Sequence, residues 1–330
     1  MPGPLPTQLA ASDLAIATHD LSKQYKTVTA LTNVALQVPT GAVFLLVGPN
    51  GAWKSTTIKL LLDLIDPTSG SAQVLGLNPR THGPLLRANV GYVPEQLEWG
   101  YGWMKTGRLL RHHARYFPTW DWEYASQLFK AFDLRLDQKL GTLSKGQGRR
   151  VHLAMALAHR APVLILDEPT DGLDPVMRDE TLGVLVDHLA STPTTVVLCT
   201  HHVSEFETLA DHIGVLRNGE LRAQLPLNEM KHGLRRYRAD LPEGWSGGSL
   251  FKANSVRQTT TQRDLDWVVW GDEREITAGF ASAGATVRDV VPLSLSDATL
   301  ALLNPRGVSV AASNADRGHA ELLATAGGVK

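Results

Sequence analysis

The segment GPNGAWKS, residues 48–55, constrains this chain more than any other feature. It follows a short apolar run, Ala42 to Val47 (AVFLLV), and precedes TTIKLLLDLI, whose apolar residues suit a helix. A buried strand, a glycine-rich loop and a helix form a phosphate-binding unit of the α/β class. The chemistry follows from the residue types. Backbone N–H groups from Gly48, Pro49, Asn50, Gly51 and Ala52 onward, together with the helix start, are placed to face an anion, although Pro49 itself has none to give. Lys54 would bridge phosphate oxygens, the Ser55 hydroxyl would ligate a divalent cation, and Thr56 continues the helix start.

One position breaks the pattern G-x-x-x-x-G-K-[ST]. Trp53 stands where glycine is expected. If the backbone there needs positive φ, a residue with a Cβ costs about 1–3 kcal/mol. The indole must also be housed, either in solvent or over the phosphate site. Two readings stay open: an outward indole with binding intact, or a distorted loop with binding or hydrolysis impaired.

Two further apolar runs end in polar residues. Val163 to Leu166 runs into Asp167 and Glu168, and Thr195 to Cys199 runs into Thr200 and His201. In open α/β sheets ligands sit beyond the carboxyl ends of the strands, so the three runs together describe one site. An Asp-Glu pair at a buried strand end is costly without a function. Between these strands, TGRLLRHHARYF and EYASQLFKAFDL read as helices of an insertion. His202 reads as a helix-start residue, and Asp171 and Asp174 either cap the next helix or contact a second subunit.

Ser144 is a natural N-cap for the run RRVHLAMALAHR, directing that helix dipole at an anion. Here the motifs add up to a resemblance. Leu143-Ser144-Lys145-Gly146-Gln147 is similar to the signature LSGGQ of ABC transporter ATPases. LILDEPTDGLDP, residues 164–175, resembles their Walker B strand, catalytic glutamate and D-loop, and Thr200-His201 resembles their switch histidine. The resemblance covers residues 13 to about 217. It implies an α/β fold of the P-loop NTPase class, ABC type, with a helical insertion at about 97–160. Residues 1–12 would be a flexible N-terminus, 13–218 the ATP-binding domain, 219–305 a small C-terminal α+β appendage and 306–330 a flexible tail.

The same resemblance implies roles. ATP and Mg²⁺ are the expected ligands. Tyr25, in LSKQYKTVTAL, would stack on adenine. Asp167 and Ser55 would hold Mg²⁺, Glu168 would polarise the attacking water, and His201 would contact the γ-phosphate. Ser144, Gly146 and Gln147 would complete the site of a second ATP-binding subunit. Glu95, after GYVP, takes the usual position of a glutamine. Glu95, LSKG and YFPTWD at residues 116–121 resemble the ABC-2 exporter branch, similar to ATPases of bacterial acetoin-utilisation, bacitracin and toxic-peptide exporters. PLSLSDATLALL, residues 292–303, resembles the last helix of their appendages.

Composition limits the partners. The 330 residues carry a formal net charge of -1, which gives no electrostatic reason to expect nucleic acid. One cysteine, Cys199, cannot form an internal disulfide and reads as an inert core thiol in a reducing compartment. The N-terminus lacks the pattern of a secretory signal, and no run approaches the ~20 apolar residues of a membrane span. The expected partners are thus a membrane permease and a second ATPase subunit, with the chain peripheral at the cytoplasmic face of the membrane. A soluble ABC protein acting on ribosomes or DNA is a weaker alternative: this chain has one ATPase unit, no heptads and no CxxC pair.

Overall fold

The computed structural model describes residues 13–96, 100–243, 245, 250–251, 255–260 and 264–304. The expected terminal tails lie outside the described residues. The chain divides into two compact units, one reaching Leu227 and the other starting at Asn228.

The first unit opens with β1 (Leu14–Tyr25), β2 (Val28–Val34) and β3 (Gln37–Pro39). Next come β4 (Val43–Val47), α1 (Lys54–Leu61), β5 (Ser69–Val74), α2 (Pro79–Ala88) and β6 (Val90–Val93). The helical stretch holds α3 (Thr106–His113), α4 (Trp122–Ala131) and α5 (Lys145–Ala158). The unit is completed by β7 (Val163–Asp167), α6 (Pro175–Ser191), β8 (Thr195–Thr200), β9 (His212–Arg217) and β10 (Glu220–Pro226).

Six of these strands form the central sheet, in the order β10-β9-β4-β8-β7-β6. Every pair from β9 to β6 is parallel. β4, β7 and β8 are buried along their whole length, which is why they read as unbroken apolar runs rather than alternating ones. Their register brings Val47 level with Thr200 and Asp167 level with Cys199, so the polar strand ends emerge at one edge. Cys199 is fully buried, and burial raises its pKa well above the ordinary value, as an inert core thiol requires. A second sheet joins β1 antiparallel to β2, β3 and β5.

The helix after the phosphate loop is shorter than its apolar pattern suggests. It begins at Lys54 and closes at Leu61, with Asp63 at φ 56° and Pro67 beyond. α3 also stops early, at His113, and continues as a 3-10 turn to Tyr116. α5 packs against α3, α4, α6 and β6, and its side chains from Arg149 to Ala158 are buried except His152.

The expected boundary at 218/219 moves. Asn218 (φ 50°) and Gly219 (φ 76°) form a tight turn that joins β9 to β10 as an antiparallel hairpin. Two consecutive positive φ values suit Asn-Gly at a two-residue hairpin. A Cβ at Gly219 would lie 2.1 Å from the Ala30 carbonyl oxygen, and the Gly219 carbonyl accepts from the Thr32 amide at 2.9 Å. Residues 219–226 therefore complete the first unit.

The second unit contains α7 (Leu227–Gly233), whose first residue belongs to the unit before. It continues with β11 (Leu234–Asp240), β12 (Ser255–Thr260), β13 (Asp264–Trp270), α8 (Glu273–Ser282), β14 (Thr286–Pro292) and α9 (Leu295–Leu303). The sheet order is β12-β13-β11-β14, all antiparallel. One face packs Tyr237, Leu265 and Trp267 against Ile276 and Phe280 of α8. Arg236, Arg238 and Arg288 form ion pairs with Asp266, Asp289, Asp240 and Asp264. Residues 276–291 hold most of α8 and then β14, separated by Gly284 at φ 76°.

Candidate functional site

The loop after β4 keeps the geometry its glycines encode, with a tryptophan inside it. Gly48 is required by contact: a Cβ there would lie 2.3 Å from the Leu216 carbonyl oxygen. Gly51 takes φ 79°. Ala52 is buried and donates its amide to the Pro49 carbonyl at 3.0 Å, whereas Pro49 and Asn50 are exposed. Trp53 takes φ 73°, ψ 26°, the left-handed region, and stands as the residue before α1. That conformation costs a non-glycine residue about 1–3 kcal/mol. The indole is half-buried, packed on the main core. It stacks on Tyr25 with ring centroids 6.2 Å apart and planes 28° from parallel. An offset aromatic pair contributes ~0.5–1.5 kcal/mol beyond its buried area, of the same order as the strain. The indole does not point freely into solvent: its ring packs on Tyr25 and the core, and α1 still begins at Lys54.

No side chain caps α1. Its first-turn N–H groups lack intrahelical partners, and the helix dipole favours an anion there. Lys54 is 7% exposed, its Nζ donating to the Gly48 carbonyl at 2.8 Å and lying 3.7 Å from Glu168 Oε1. A cavity of about 270 Å³ is lined by Asn50 to Thr56 with Glu95, Asp167 and Glu168.

Glu168 is buried, at φ 49°, directly past the end of β7. Its carboxylate is held from two sides. Thr200 Oγ1 donates to Oε2 at 3.0 Å, and His201 Nδ1 lies 2.8 Å from Oε1. His201 does not line the cavity; it reaches it through Glu168. His202 precedes a 3-10 turn, its amide donating to Thr200 Oγ1 at 2.9 Å, which fits a helix-start residue.

Asp167 is 1% exposed, and its Oδ1 has no hydrogen-bond partner. Burial pushes its pKa up to about 6, against a hydrogen bond with Ser55 that lowers it. Ser55 Oγ also donates to Glu95 Oε2 at 3.4 Å. A hydroxyl and two carboxylates are hard oxygen donors of the kind Mg²⁺ takes, and an orphaned Asp167 oxygen is what such an ion would satisfy. Among the described residues no three His, Cys, Asp or Glu side chains converge as a complete metal site. Mg²⁺ would therefore draw its other ligands from phosphate and water.

The signature residues form a separate feature. Ser144 Oγ accepts from the Gln147 amide at 3.1 Å, and Gln147 Oε1 accepts from the Ser144 amide at 3.1 Å, a complete capping box. Gly146 sits against Met177, whose Cε would lie 3.1 Å from a Cβ. None of the three lines the phosphate-loop cavity of its own chain. Lys145 pairs with Asp171 at 2.8 Å, and Asp174 caps α6 through the Met177 amide at 2.8 Å. So Asp174 is a cap and Asp171 is not.

Two residues take supporting roles that the sequence alone did not assign them. Thr200 holds Glu168. Arg149 is fully buried and donates to the carbonyls of Pro94 and Glu95, the latter at 2.6 Å. Its signal was present: consecutive arginines at the start of a helix that is otherwise apolar.

Comparisons with known proteins agree with this geometry. Residues 31–171 match the family described as ABC transporter. The chain is 30% identical to the ABC transporter ATP-binding protein YtrB of Bacillus subtilis over 66% of this chain and 73% of that one. It is 30% identical to the bacitracin transport ATP-binding protein BcrA of Bacillus licheniformis, over 67% of this chain and 73% of the relative. With the daunorubicin/doxorubicin resistance ATP-binding protein DrrA of Streptomyces peucetius it shares 34% identity, covering 67% and 68% respectively. Among solved structures, an ATP binding subunit of an ABC transporter superposes with a TM-score of 0.61 at 29% identity, covering 66% of this chain and 92% of that one. A dimeric bacterial ABC transporter cassette gives 0.57 at 25% identity, covering 64% and 98%. A loop, a glutamate and a signature helix in this arrangement, with these relatives, make the chain a member of the ABC transporter family, among its ATP-binding proteins.

Proposed function

We propose that this chain is the ATP-hydrolysing subunit of an ABC-2-type exporter, working in a dimer of ATP-binding subunits beneath a separate membrane permease. The observation that carries the reading is Glu168, held by Thr200 and His201 at the wall of the phosphate-loop cavity. Its carboxylate is fixed beside Lys54, where a water attacking a terminal phosphate would need a proton acceptor.

The loop amides and the start of α1 hold the β- and γ-phosphates, and Lys54 turns its ammonium from the Gly48 carbonyl to the phosphate oxygens. Tyr25 takes the base. Ser55 and Asp167, with Glu95 beside them, would hold Mg²⁺, which would supply neutralisation of phosphate charge. Glu168 orients the water and takes its proton, and His201 holds Glu168 in place. Ser144, Gly146 and Gln147 close over the nucleotide of the partner subunit, since they stand away from the cavity of their own chain. ATP then favours the closed dimer by its differential affinity for it.

No helix among the described residues is long and apolar enough to cross a membrane. This fits a subunit docked at the cytoplasmic face through its permease, with no nucleic-acid partner. The relatives named for bacitracin transport and for daunorubicin/doxorubicin resistance support the exporter branch.

A second reading, hydrolysis impaired by Trp53, draws on its left-handed φ of 73°. Phosphate release from the purified chain separates the two. Wild type should turn over ATP, and Glu168→Gln should lose at least ~100-fold while still binding it. Equal turnover in wild type and Trp53→Gly removes the impairment reading. No turnover in wild type with turnover restored in Trp53→Gly establishes it.

A further inference from the structure

We propose that the Trp53 indole is a built-in occupant of the Tyr25 ring, so that the base of a bound nucleotide adds little to its affinity. The proposal rests on the nucleotide-binding reading above and specifies how Tyr25 acts within it.

The ring that would receive a base is already engaged. Trp53 stacks on Tyr25 at 6.2 Å and 28°, and the Lys23 ammonium lies 4.9 Å from the same ring centroid. Both neighbours are anchored: the indole packs on the core, and Lys23 Nζ donates to the Asp66 carbonyl at 2.6 Å. Tyr25 keeps 37% of its surface exposed, so a base can reach it. What a base gains by stacking on Tyr25, it offsets by displacing an aromatic partner of similar kind. The contacts at this platform are a π face, an indole and an ammonium. The phosphates, by contrast, keep the loop amides and Lys54 to themselves. Glycine at this position would leave the platform open.

The test is calorimetric titration of the full chain with MgATP and with magnesium tripolyphosphate, which carries the phosphates without a base. Wild type, Trp53→Ala and Trp53→Gly are compared, the alanine variant removing the ring without granting glycine's backbone freedom. The ratio of ATP to tripolyphosphate affinity should rise about tenfold in both variants. The gain should vanish when Tyr25→Ala is combined with Trp53→Ala. An unchanged or lower ratio, or a gain that survives loss of Tyr25, overturns the proposal while leaving nucleotide binding intact. Failure of every form to bind either ligand overturns the nucleotide-binding reading, and this one with it.

Discussion

The starts of α1 and α5 sit in one chain and are finished in opposite ways. α5 is closed by its own residues: Ser144 and Gln147 satisfy each other's amides in a capping box. α1 has no side-chain cap, and the residue before it is a strained tryptophan. A closed start adds stability. An open one keeps its N–H groups for an anion, at the expense of stability. The contrast teaches that the phosphate site is recognised partly by what the chain withholds from it, and that local optimisation is relaxed where a ligand is to complete the helix.

Four measurements put this contrast to the test. The largest effect belongs to Lys54, the one ammonium beside the loop cavity among its lining residues. Lys54→Met should weaken triphosphate binding by at least ~100-fold in an equilibrium titration, since it removes the charge that complements the open helix start. A smaller loss would mean that the amides alone suffice.

The next effect is on stability against pH. Burial lowers the pKa of His113, His152, His159 and His188 from 6.5 to about 4. Unfolded, these rings protonate near pH 6.5; folded, only near pH 4. Between those values the unfolded state binds more protons, so stability present above pH 6.5 is lost as pH falls. Asp167, raised to about 6, acts in the opposite sense as one group against four. Thermal unfolding should show a net loss of a few kcal/mol from pH 6.5 to 4. A flat profile would mean that these histidines charge within the folded protein.

Ser144→Ala comes third. Losing the cap of α5 should cost about 1 kcal/mol, read as a lowered midpoint in denaturant with unchanged slope. No comparable cap can be removed from α1. The smallest effect is at Lys145→Ala. Its pair with Asp171 is 61% and 41% exposed at the side chains, so at most ~0.5 kcal/mol is expected in the same titration.

How far the sequence announced all this depends on the reach of each interaction. The phosphate loop, the strand ends at Asp167 and Thr200, and the Ser144 cap are written within a few residues, and all stand where pattern reading puts them. The partner of Trp53 is 28 positions away on β1, and nothing local points to Tyr25 as its neighbour. Arg149 is similar: a helix-start arginine reads as solvated until the fold brings Pro94 and Glu95 against it. The boundary near 219 shows a different failure. Asn218-Gly219 is a strong turn signal, but a hairpin and a domain edge use the same residues, and only pairing with β9 distinguishes them. The sheet of β1, β2, β3 and β5 went unread because its strands are half exposed and their periodicity is interrupted by register shifts.

The grip of Arg149 has a mechanical consequence. Its planar guanidinium spans two successive carbonyls, of Pro94 and Glu95, from a position five residues after the signature serine. Two prongs on adjacent peptide groups fix direction as well as distance, which a single ammonium cannot do. The signature helix and the Glu95 segment are thereby tied together, so that a rotation of α5 would carry the Glu95 backbone with it. A pull felt at one end of the helical stretch would reach the phosphate corner as torque rather than as slack.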